Sequence, residues 1–312
     1  MDERIRDLNV LMDQVFRGQI PAGVVWHYTK PRGLPDILKS RIIWAGDSYG
    51  MNDPRELLTG HDAVADALAA ANFPDKLRER MTKLLAFYRQ QMERSETFIL
   101  SASIDDDSLH QWDAYAGRDG YSIGFHVEPG NINLLERYPF NPTPENSKDQ
   151  TQFVSNWRNV IYDPAEQAGE AGAYVELVAR MLDPVHFGAD PNHLYNEYTV
   201  ELLGAPGYAA TVARLKRDDS APENEVRITA TTLDPDRFRS DNPWGRPKVD
   251  LTGWVSPTKF RPAGAYSSPE ATLLPIVEIR TGPDADVTGL RELLDQHGYG
   301  HVRISTSQHP PS

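Results

Sequence analysis

The stretch VVWHYTKPRGLPDILKSRIIWAGDSYGMNDPRE, residues 24–56, has the pattern of a strand–helix–strand unit around which the rest of the chain is organised. Its opening residues 24–26 are apolar without polar alternation, which is typical of a strand buried on both faces. Apolar residues spaced i, i+3 and i+4 predict a short helix over residues 34–39. A second apolar strand follows at residues 42–44. The stretch therefore predicts a strand–helix–strand unit whose first strand ends in three side chains with hydrogen-bonding groups: His27, Tyr28 and Thr29.

Hydrogen-bonding side chains gather where these apolar elements end. Besides the three on the first strand, Asn52 lies in the polar loop after the second strand. Strand ends are where protein scaffolds usually present binding and catalytic groups. A lone histidine is more often a satisfied core or rim residue, but the grouping of His27 with these neighbours favours a functional site.

Composition limits the classes of protein to which the chain can belong. Its 312 residues carry a formal charge of -13 and no cysteine, which excludes disulfides, a thiolate metal site and a cysteine nucleophile. The negative charge argues against tight non-specific binding to duplex nucleic acid. No apolar run is long enough to cross a bilayer, and residues 1–20 mix acids with bases, so we expect a surface helix there and not a secretory signal. These features predict a cytoplasmic protein with no membrane partner.

The remaining pattern predicts an α+β protein with a mixed central sheet, interleaved helices and one helical insertion. Further strands are predicted at residues 98–103, 121–127, 159–162, 223–228, 273–280 and 301–305. A pair of helices is predicted over residues 61–91, and single helices are predicted at 108–116 and 287–297. Ser108 and Asp286 cap the two single helices. A Pro-rich charged loop is predicted at 234–249. The chain divides into an N-terminal helix (1–20), the N-terminal half of the core (21–164), the helical insertion (165–217) and the C-terminal half of the core (218–312).

Two pairs of polar residues at i, i+2 spacing share a face of a predicted strand. Ser101 and Ser103 form the first pair, where a structural role at a strand end is the simpler interpretation for at least one of them. Glu223 and Glu225 form the second, and Arg227 continues their row. Two like charges at this spacing raise each other's pKa unless a cation such as Arg227 intervenes. The row is either a solvent-facing edge or, where Glu225 comes within reach of the first strand, part of a site.

Sequence signatures of the common metal and phosphate sites are missing. The chain has no HExxH, no GxxxxGK[ST], no GxGxxG after a strand and no GxSxG, so no metal site is predicted. A metal-dependent nuclease remains an alternative, although its four acids lack a recognisable two-metal spacing: Asp53, Glu56, Asp105 and Glu225.

An ordered set of short motifs resembles a known bacterial family. The set consists of HYT at 27–29, ILKSRIIWAGDSYGMNDPRE at 37–56, FILSASIDDDSLHQWDAYA at 98–116, GYSIGF at 120–125, ENEVRI at 223–228, IVEIRTGP at 276–283 and GYGHVRIS at 298–305. In this order the motifs resemble the family catalogued as domain of unknown function 2971, over nearly the full chain. That family label implies no activity.

The opening strand–helix–strand is also similar to that of NAD-dependent ADP-ribosyltransferases, especially toxin-like ones that modify nucleic acids. The likeness implies a mixed sheet of the ADP-ribosyltransferase type, with His27 and Thr29 holding the nicotinamide ribose. It implies that Tyr49 or Tyr115 stacks on the nicotinamide and that Glu225, with His27, is catalytic, while Glu223 competes for the role of the glutamate. The other residues predicted to bind NAD are Tyr28, Asn52, Ser101, Ser103 and Arg227.

The resemblance implies an NAD-consuming enzyme of toxin or phage-defence type. Its acceptor would be a nucleic acid, a nucleotide or a protein, or else water in simple NAD hydrolysis, and an antitoxin or immunity protein would be its neutralising partner. The alternative is a non-catalytic module on the same fold that binds a nucleotide or senses a phage component.

Overall fold

The computed structural model describes residues 10–11, 14–15, 23–48, 57–94, 97–127, 134–136, 153–183, 197–231, 248–253 and 273–308. The strands are β1 (Gly23–Thr29), β2 (Ile43–Asp47), β3 (Thr97–Ser103), β4 (Tyr121–Val127), β5 (Leu134–Glu136), β6 (Phe153–Val154), β7 (Arg158–Asn159), β8 (Glu225–Thr231), β9 (Lys248–Gly253), β10 (Ile276–Thr281) and β11 (Arg303–Thr306). The helices are α1 (Gly33–Ser40), α2 (Leu58–Ala70), α3 (Asp75–Glu93), α4 (Leu109–Gln111), α5 (Pro164–Leu182), α6 (Glu197–Val212) and α7 (Val287–Gln296). A π-helical turn, Trp112–Ala116, continues α4, and a 3₁₀ helix, Asp218–Glu223, precedes β8.

One mixed sheet joins the strands that the structure describes. Its main path runs in the order β11, β10, β4, β1, β3, β2, β9, β5, while β8 pairs with β3 and carries β6 and β7 on its other edge. Strands β10 and β11 are parallel, and the other described pairs are antiparallel. The predicted α+β class with a mixed sheet is therefore confirmed.

Strand β3 is the branch point of the sheet. Along one edge it pairs with β8 from Thr97 to Ser103, over its whole length. Along the other edge it pairs with β1 at Ser103 and with β2 at Phe98 and Ile99. Because β1 and β2 reach this edge at its opposite ends, residues 100–102 are paired with a described strand on the β8 side alone.

Two apolar cores lie on opposite faces of the sheet. Phe98 and Leu100 of β3 belong to the first core, which α1 and α7 help to form. Ile99, which points to the other face, belongs to the second core, formed mainly by α2, α3, α5 and α6. Strands that are buried on both faces carry continuous apolar runs, which explains the absence of alternation in the sequence.

Helix α1 shows how the local pattern produces the structure. Leu34, Ile37 and Leu38 are buried, so the predicted apolar stripe faces the first core. The helix ends at Arg41, which adopts a left-handed backbone (φ 58°) and donates its N–H to the carbonyl of Ile37 at 2.9 Å.

Most predicted elements are confirmed, including the paired helices over 61–91 and the caps at Ser108 and Asp286. Glu223 was predicted to lie on a strand, and this prediction is wrong. It ends the 3₁₀ helix, and the left-handed residue Asn224 (φ 44°) then turns the chain into β8.

Two further predictions need correction. The predicted loop 234–249 ends two residues early, because Lys248 already pairs with β2 as the start of β9. Strand β4 was expected to bury one face, but Ser122 and Gly124 on its other face are also buried. The Trp26 indole packs so closely on Gly124 that a Cβ there would lie 2.9 Å from the ring.

Some predictions fall outside the described residues. Of the predicted N-terminal helix, residues 10–11 and 14–15 are described, and they are helical. Tyr49, Asn52 and most of the loop 234–249 lie outside. Among the described helices, none combines the length and the hydropathy needed to cross a bilayer.

Candidate functional site

A cavity of about 320 Å³ lies where β1 and β2 diverge from β3. Residues 99–102 of β3 line it, together with parts of β1, β2, α4, the π-helical turn and the 3₁₀ helix. Its polar lining includes His27, Ser101, Gln111, Lys216, Glu223 and Glu225, and its aromatic lining consists of Trp26, Tyr28, Trp44 and Tyr115. The predicted histidine and glutamate therefore line the same cavity.

His27 is held through its ring. Nδ1 lies 2.9 Å from the carbonyl oxygen of Ser101, at the point where β1 separates from β3. A carbonyl can only accept, so Nδ1 carries the proton and Nε2 is an acceptor. Burial lowers the pKa of His27, although the bond to Ser101 opposes this shift, so the ring is neutral at pH 7. Within the described residues Nε2 has no hydrogen-bond partner, which makes it available to a ligand.

Glu225 is the first residue of β8 and is 6% exposed. Nε and Nη2 of Arg227 lie 2.7 and 2.9 Å from its two oxygens, and Lys216 Nζ lies 3.0 Å from Oε2. Burial alone raises the pKa of Glu225, but the charges of Arg227 and Lys216 outweigh it and hold the pKa at about 2. The carboxylate is therefore ionised at neutral pH and is a weak base. The alternative of a solvent-facing edge is wrong, because β8 is buried along its length.

Glu223 is the more accessible of the two carboxylates. Its side chain is 18% exposed, whereas that of Glu225 is 5% exposed. Lys216 Nζ lies 2.8 Å from Glu223 Oε2 and so bridges the two acids. The positive charge of Lys216 reduces the repulsion between the two carboxylates, which allows both to line one cavity.

The Ser101 hydroxyl also favours the ionised form of Glu225. Within the described residues this hydroxyl makes no hydrogen bond of normal geometry. Ser101 therefore contributes its carbonyl to His27 and its side chain to the lining of the cavity.

Three residues assigned to NAD binding do not line the cavity: Thr29, Ser103 and Arg227. Arg227 is 1% exposed and donates from Nη1 to the carbonyl of Ala213 at 2.6 Å. It therefore binds the Glu225 carboxylate without itself lining the cavity. Ser103 donates its hydroxyl to the carbonyl of Glu223 at 2.9 Å. These residues position the carboxylates, whereas Thr29 ends β1 opposite the start of β4.

Tyr28 lines the cavity, but its hydroxyl serves the scaffold. It donates to the carbonyl of Asp105 and accepts from the N–H of Ser108, both at 2.9 Å. Burial raises the pKa of this hydroxyl, so it stays protonated. The ring packs edge-on against Trp112 at 5.2 Å, and Trp112 Nε1 donates to Asp107 at 2.8 Å. Tyr28 thus fixes the segment that carries α4 and the π-helical turn.

Two exposed aromatic rings line the cavity. Tyr115, in the π-helical turn, is 41% exposed, and Trp44, on β2, is 52% exposed. Tyr115 is one of the two tyrosines predicted to stack on nicotinamide, and Tyr49 lies outside the described residues. π-Helical turns are frequent at functional sites. Trp44 was not predicted, although its place at the end of an apolar run is the signal that could have identified it.

Lys216 and Gln111 were also not predicted as site residues. Lys216 follows α6 in a segment with no motif, so nothing local indicates its role. Gln111 belongs to the quoted motif at 98–116, three residues after the cap Ser108, and that position was a usable signal.

The metal-dependent nuclease receives no support from the described part of the chain. Asp53 and Glu56 lie outside it, and within it no three His, Asp or Glu side chains gather as a metal site.

Comparison of the chain with family models, with curated proteins and with solved structures finds no match. The resemblance to the domain of unknown function 2971 and to ADP-ribosyltransferases therefore stays a prediction, and function has to be argued from the cavity.

Proposed function

We propose that the chain is an NAD-consuming enzyme of the ADP-ribosyltransferase type, with the nicotinamide ribose bound in the cavity at β3. The observation that carries the proposal is that His27, Tyr115 and Glu225, from three separate parts of the chain, line one cavity. A neutral imidazole can accept from a ribose hydroxyl, an exposed aromatic ring can stack on a pyridinium, and an ionised carboxylate favours positive charge nearby.

The size of the cavity supports binding of half a dinucleotide. Ligand pockets generally measure roughly 300 to 1,000 Å³. At about 320 Å³ the cavity is suited to a nicotinamide ribose and not to a whole dinucleotide. We therefore expect the adenosine half to bind outside the part lined by His27 and Glu225.

In the proposed reaction the bond between ribose C1′ and the pyridinium nitrogen breaks. Its electron pair leaves with neutral nicotinamide, and the ribose becomes an oxocarbenium-like cation. A nucleophile, either water or a group on the acceptor, then adds to C1′ and releases its proton. The pKa of about 2 makes Glu225 a constant negative charge that stabilises the cation and a poor acceptor for that proton. Glu223, the more exposed carboxylate, is the one that lies within easier reach of a nucleophile entering the cavity.

A second candidate, a nucleotide-binding module without turnover, is favoured by one observation. Both oxygens of Glu225 already receive hydrogen bonds from Arg227 and Lys216, so part of its charge is compensated. In such a module the cavity would bind NAD and leave it intact. The acceptor class and the toxin or phage-defence role stay predictions under either candidate.

The two candidates are separated by measuring nicotinamide release from NAD and, by calorimetry, NAD binding. For the enzyme we expect release by the wild type and a loss of about 100-fold or more in Glu225→Gln, the range seen when one electrostatic contact to a transition state is removed. Binding of NAD without release of nicotinamide supports the module. If the protein shows no NAD binding and no nicotinamide release, both candidates are rejected.

The chain offers a matched control for Glu225→Gln. Glu170 is also a buried carboxylate between two cations, 3.1 Å from Arg158 and 2.6 Å from Arg214, and it does not line the cavity. Glu170→Gln should therefore retain nicotinamide release once folding is verified by circular dichroism. Equal loss in both variants would point to general destabilisation and dismiss the assignment of Glu225.

Stacking by Tyr115 gives an independent prediction. Tyr115→Ala should raise KM for NAD by up to about tenfold, since an aromatic pair contributes about 0.5–1.5 kcal/mol, while Tyr115→Phe should keep the wild-type KM. Because Tyr115 is 41% exposed, neither change should unfold the protein. The same KM in the alanine and phenylalanine variants would remove Tyr115 from the site.

A further inference from the structure

We propose that Gln111 selects the carboxamide of the nicotinamide ring, accepting a hydrogen bond from its N–H group through Oε1. This inference rests on the proposed function and deepens it. It predicts that the cavity discriminates between NAD and nicotinic acid adenine dinucleotide, in which a carboxylate replaces the carboxamide.

The orientation of the Gln111 amide is decided by its surroundings. Nε2 lies 3.3 Å from the carbonyl oxygen of Glu223, and because a carbonyl only accepts, the NH₂ group has to face it. The backbone N–H of Gln111 is held by the Oγ of Ser108, the cap of α4, at 3.4 Å. With Nε2 committed, Oε1 is the end of the amide that remains for another partner.

Gln111 is a buried polar side chain with an acceptor that the scaffold does not use. The residue is 7% exposed and lines the cavity. Oε1 makes no hydrogen bond to any described residue, and it is not among the polar atoms shut off from solvent. Because this oxygen reaches the cavity and no described residue donates to it, a ligand that donates to it gains a hydrogen bond without displacing one of the scaffold's own.

The rest of the lining favours a ligand that donates hydrogen bonds. His27 offers Nε2 as a second anchored acceptor, and Glu223 and Glu225 add carboxylate oxygens. The lining also holds two cations, and both are paired with acids. Lys216 is bound to both carboxylates, at 2.8 and 3.0 Å, and Arg217 is bound to Asp219 at 2.6 Å, so their charges are largely balanced. A cationic ring that carries an N–H donor suits this lining, whereas a carboxylate in its place meets acceptors and negative charge.

Gln111→Met is the informative variant because it removes the amide and keeps the length of the side chain. The carbonyl of Glu223 still accepts from the Ser103 hydroxyl at 2.9 Å, so the change leaves no buried carbonyl without a donor. Gln296→Met makes the same chemical change at an exposed position on α7 and serves as the control.

The experiment measures kcat/KM for NAD and for nicotinic acid adenine dinucleotide in the wild type and both variants. We expect the wild type to prefer NAD, and we expect Gln111→Met to reduce this preference by about tenfold, the effect of one lost hydrogen bond. The control should keep the wild-type preference. A purely structural role of Gln111 would lower both values equally and leave their ratio unchanged, which would overturn the inference.

Failure of this inference is distinguishable from failure of the proposed function. Turnover of NAD by the wild type with an unchanged preference in Gln111→Met overturns the role of Gln111 alone. Absence of both NAD binding and NAD turnover in the wild type overturns the proposed function, and this inference with it.

Discussion

Replacing Glu225 by glutamine removes the negative charge that holds two buried cations in place. In the wild type Arg227 is 1% exposed and Lys216 is 8% exposed, and both donate to this carboxylate. In the variant Arg227 keeps its bond to the carbonyl of Ala213 and Lys216 keeps its bond to Glu223, but both cations lose the charge of Glu225. Breaking a buried ion pair by removing one partner costs about 3–5 kcal/mol.

The pKa of Glu225 provides a second measure of the same cost. Lowering it from 4.5 to about 2 corresponds to about 3 kcal/mol of folding stability at pH 7. Because the pKa is lower in the folded state, this contribution is complete above pH 4.5 and is lost as the pH falls toward 2. At pH 3 about 1 kcal/mol of it remains.

Urea unfolding of the wild type and Glu225→Gln at pH 7 and pH 3 measures both quantities. We expect the variant to be less stable by about 3 kcal/mol at pH 7, and we expect the difference to shrink by about 2 kcal/mol at pH 3. A variant as stable as the wild type at pH 7, or a difference that does not change with pH, would refute this reasoning.

Two further predictions concern the helical side of the molecule. Gly60→Ala places a Cβ against the carbonyl of Val212, where α2 meets α6, and should cost about 1–3 kcal/mol through overpacking. Gly169→Ala, on α5 with nothing within 4 Å of the new Cβ, should instead stabilise by up to about 1 kcal/mol in the same unfolding assay, and equal effects would contradict the packing argument. Burial, together with the charge of Arg89, lowers the pKa of His61 from 6.5 to about 4, so the protein should lose up to about 3 kcal/mol as the pH falls from 6.5 to 4. His61→Phe should remove this pH dependence of the free energy of unfolding, and an unchanged dependence would show that other groups cause it.

The secondary structure could be predicted where one local pattern decided it. The stripe of Leu34, Ile37 and Leu38 predicts α1 because the residues that face the core repeat with the period of the helix. Glu223 was placed wrongly because its spacing from Glu225 suits a strand, whereas the left-handed residue Asn224 breaks the strand between them. The left-handed backbone of Asn224 therefore decided the structure here, and not the i, i+2 spacing of the two glutamates.

The residues that line the cavity were predicted only in part. His27 and Glu225 were assigned by resemblance, and the structure brings them to one cavity. Lys216 was missed because it meets Glu223 and Glu225 only in the folded chain, where the segment after α6 lies beside the start of β8. Arg227 was assigned to ligand binding, but burial makes it the support of Glu225 and not part of the lining.

The sequence by itself determined the elements, because hydrophobic period, caps and turns act over a few neighbouring residues. It also determined which polar side chains stand at strand ends, including His27 on β1. Only the tertiary structure decided that β1 and β2 meet one edge of β3 from opposite ends and leave residues 100–102 open to a cavity. The physical reason is that strand pairing joins residues far apart in the chain. The hydrophobic pattern of a strand fixes which of its faces is buried, but it does not identify the strand that pairs with it.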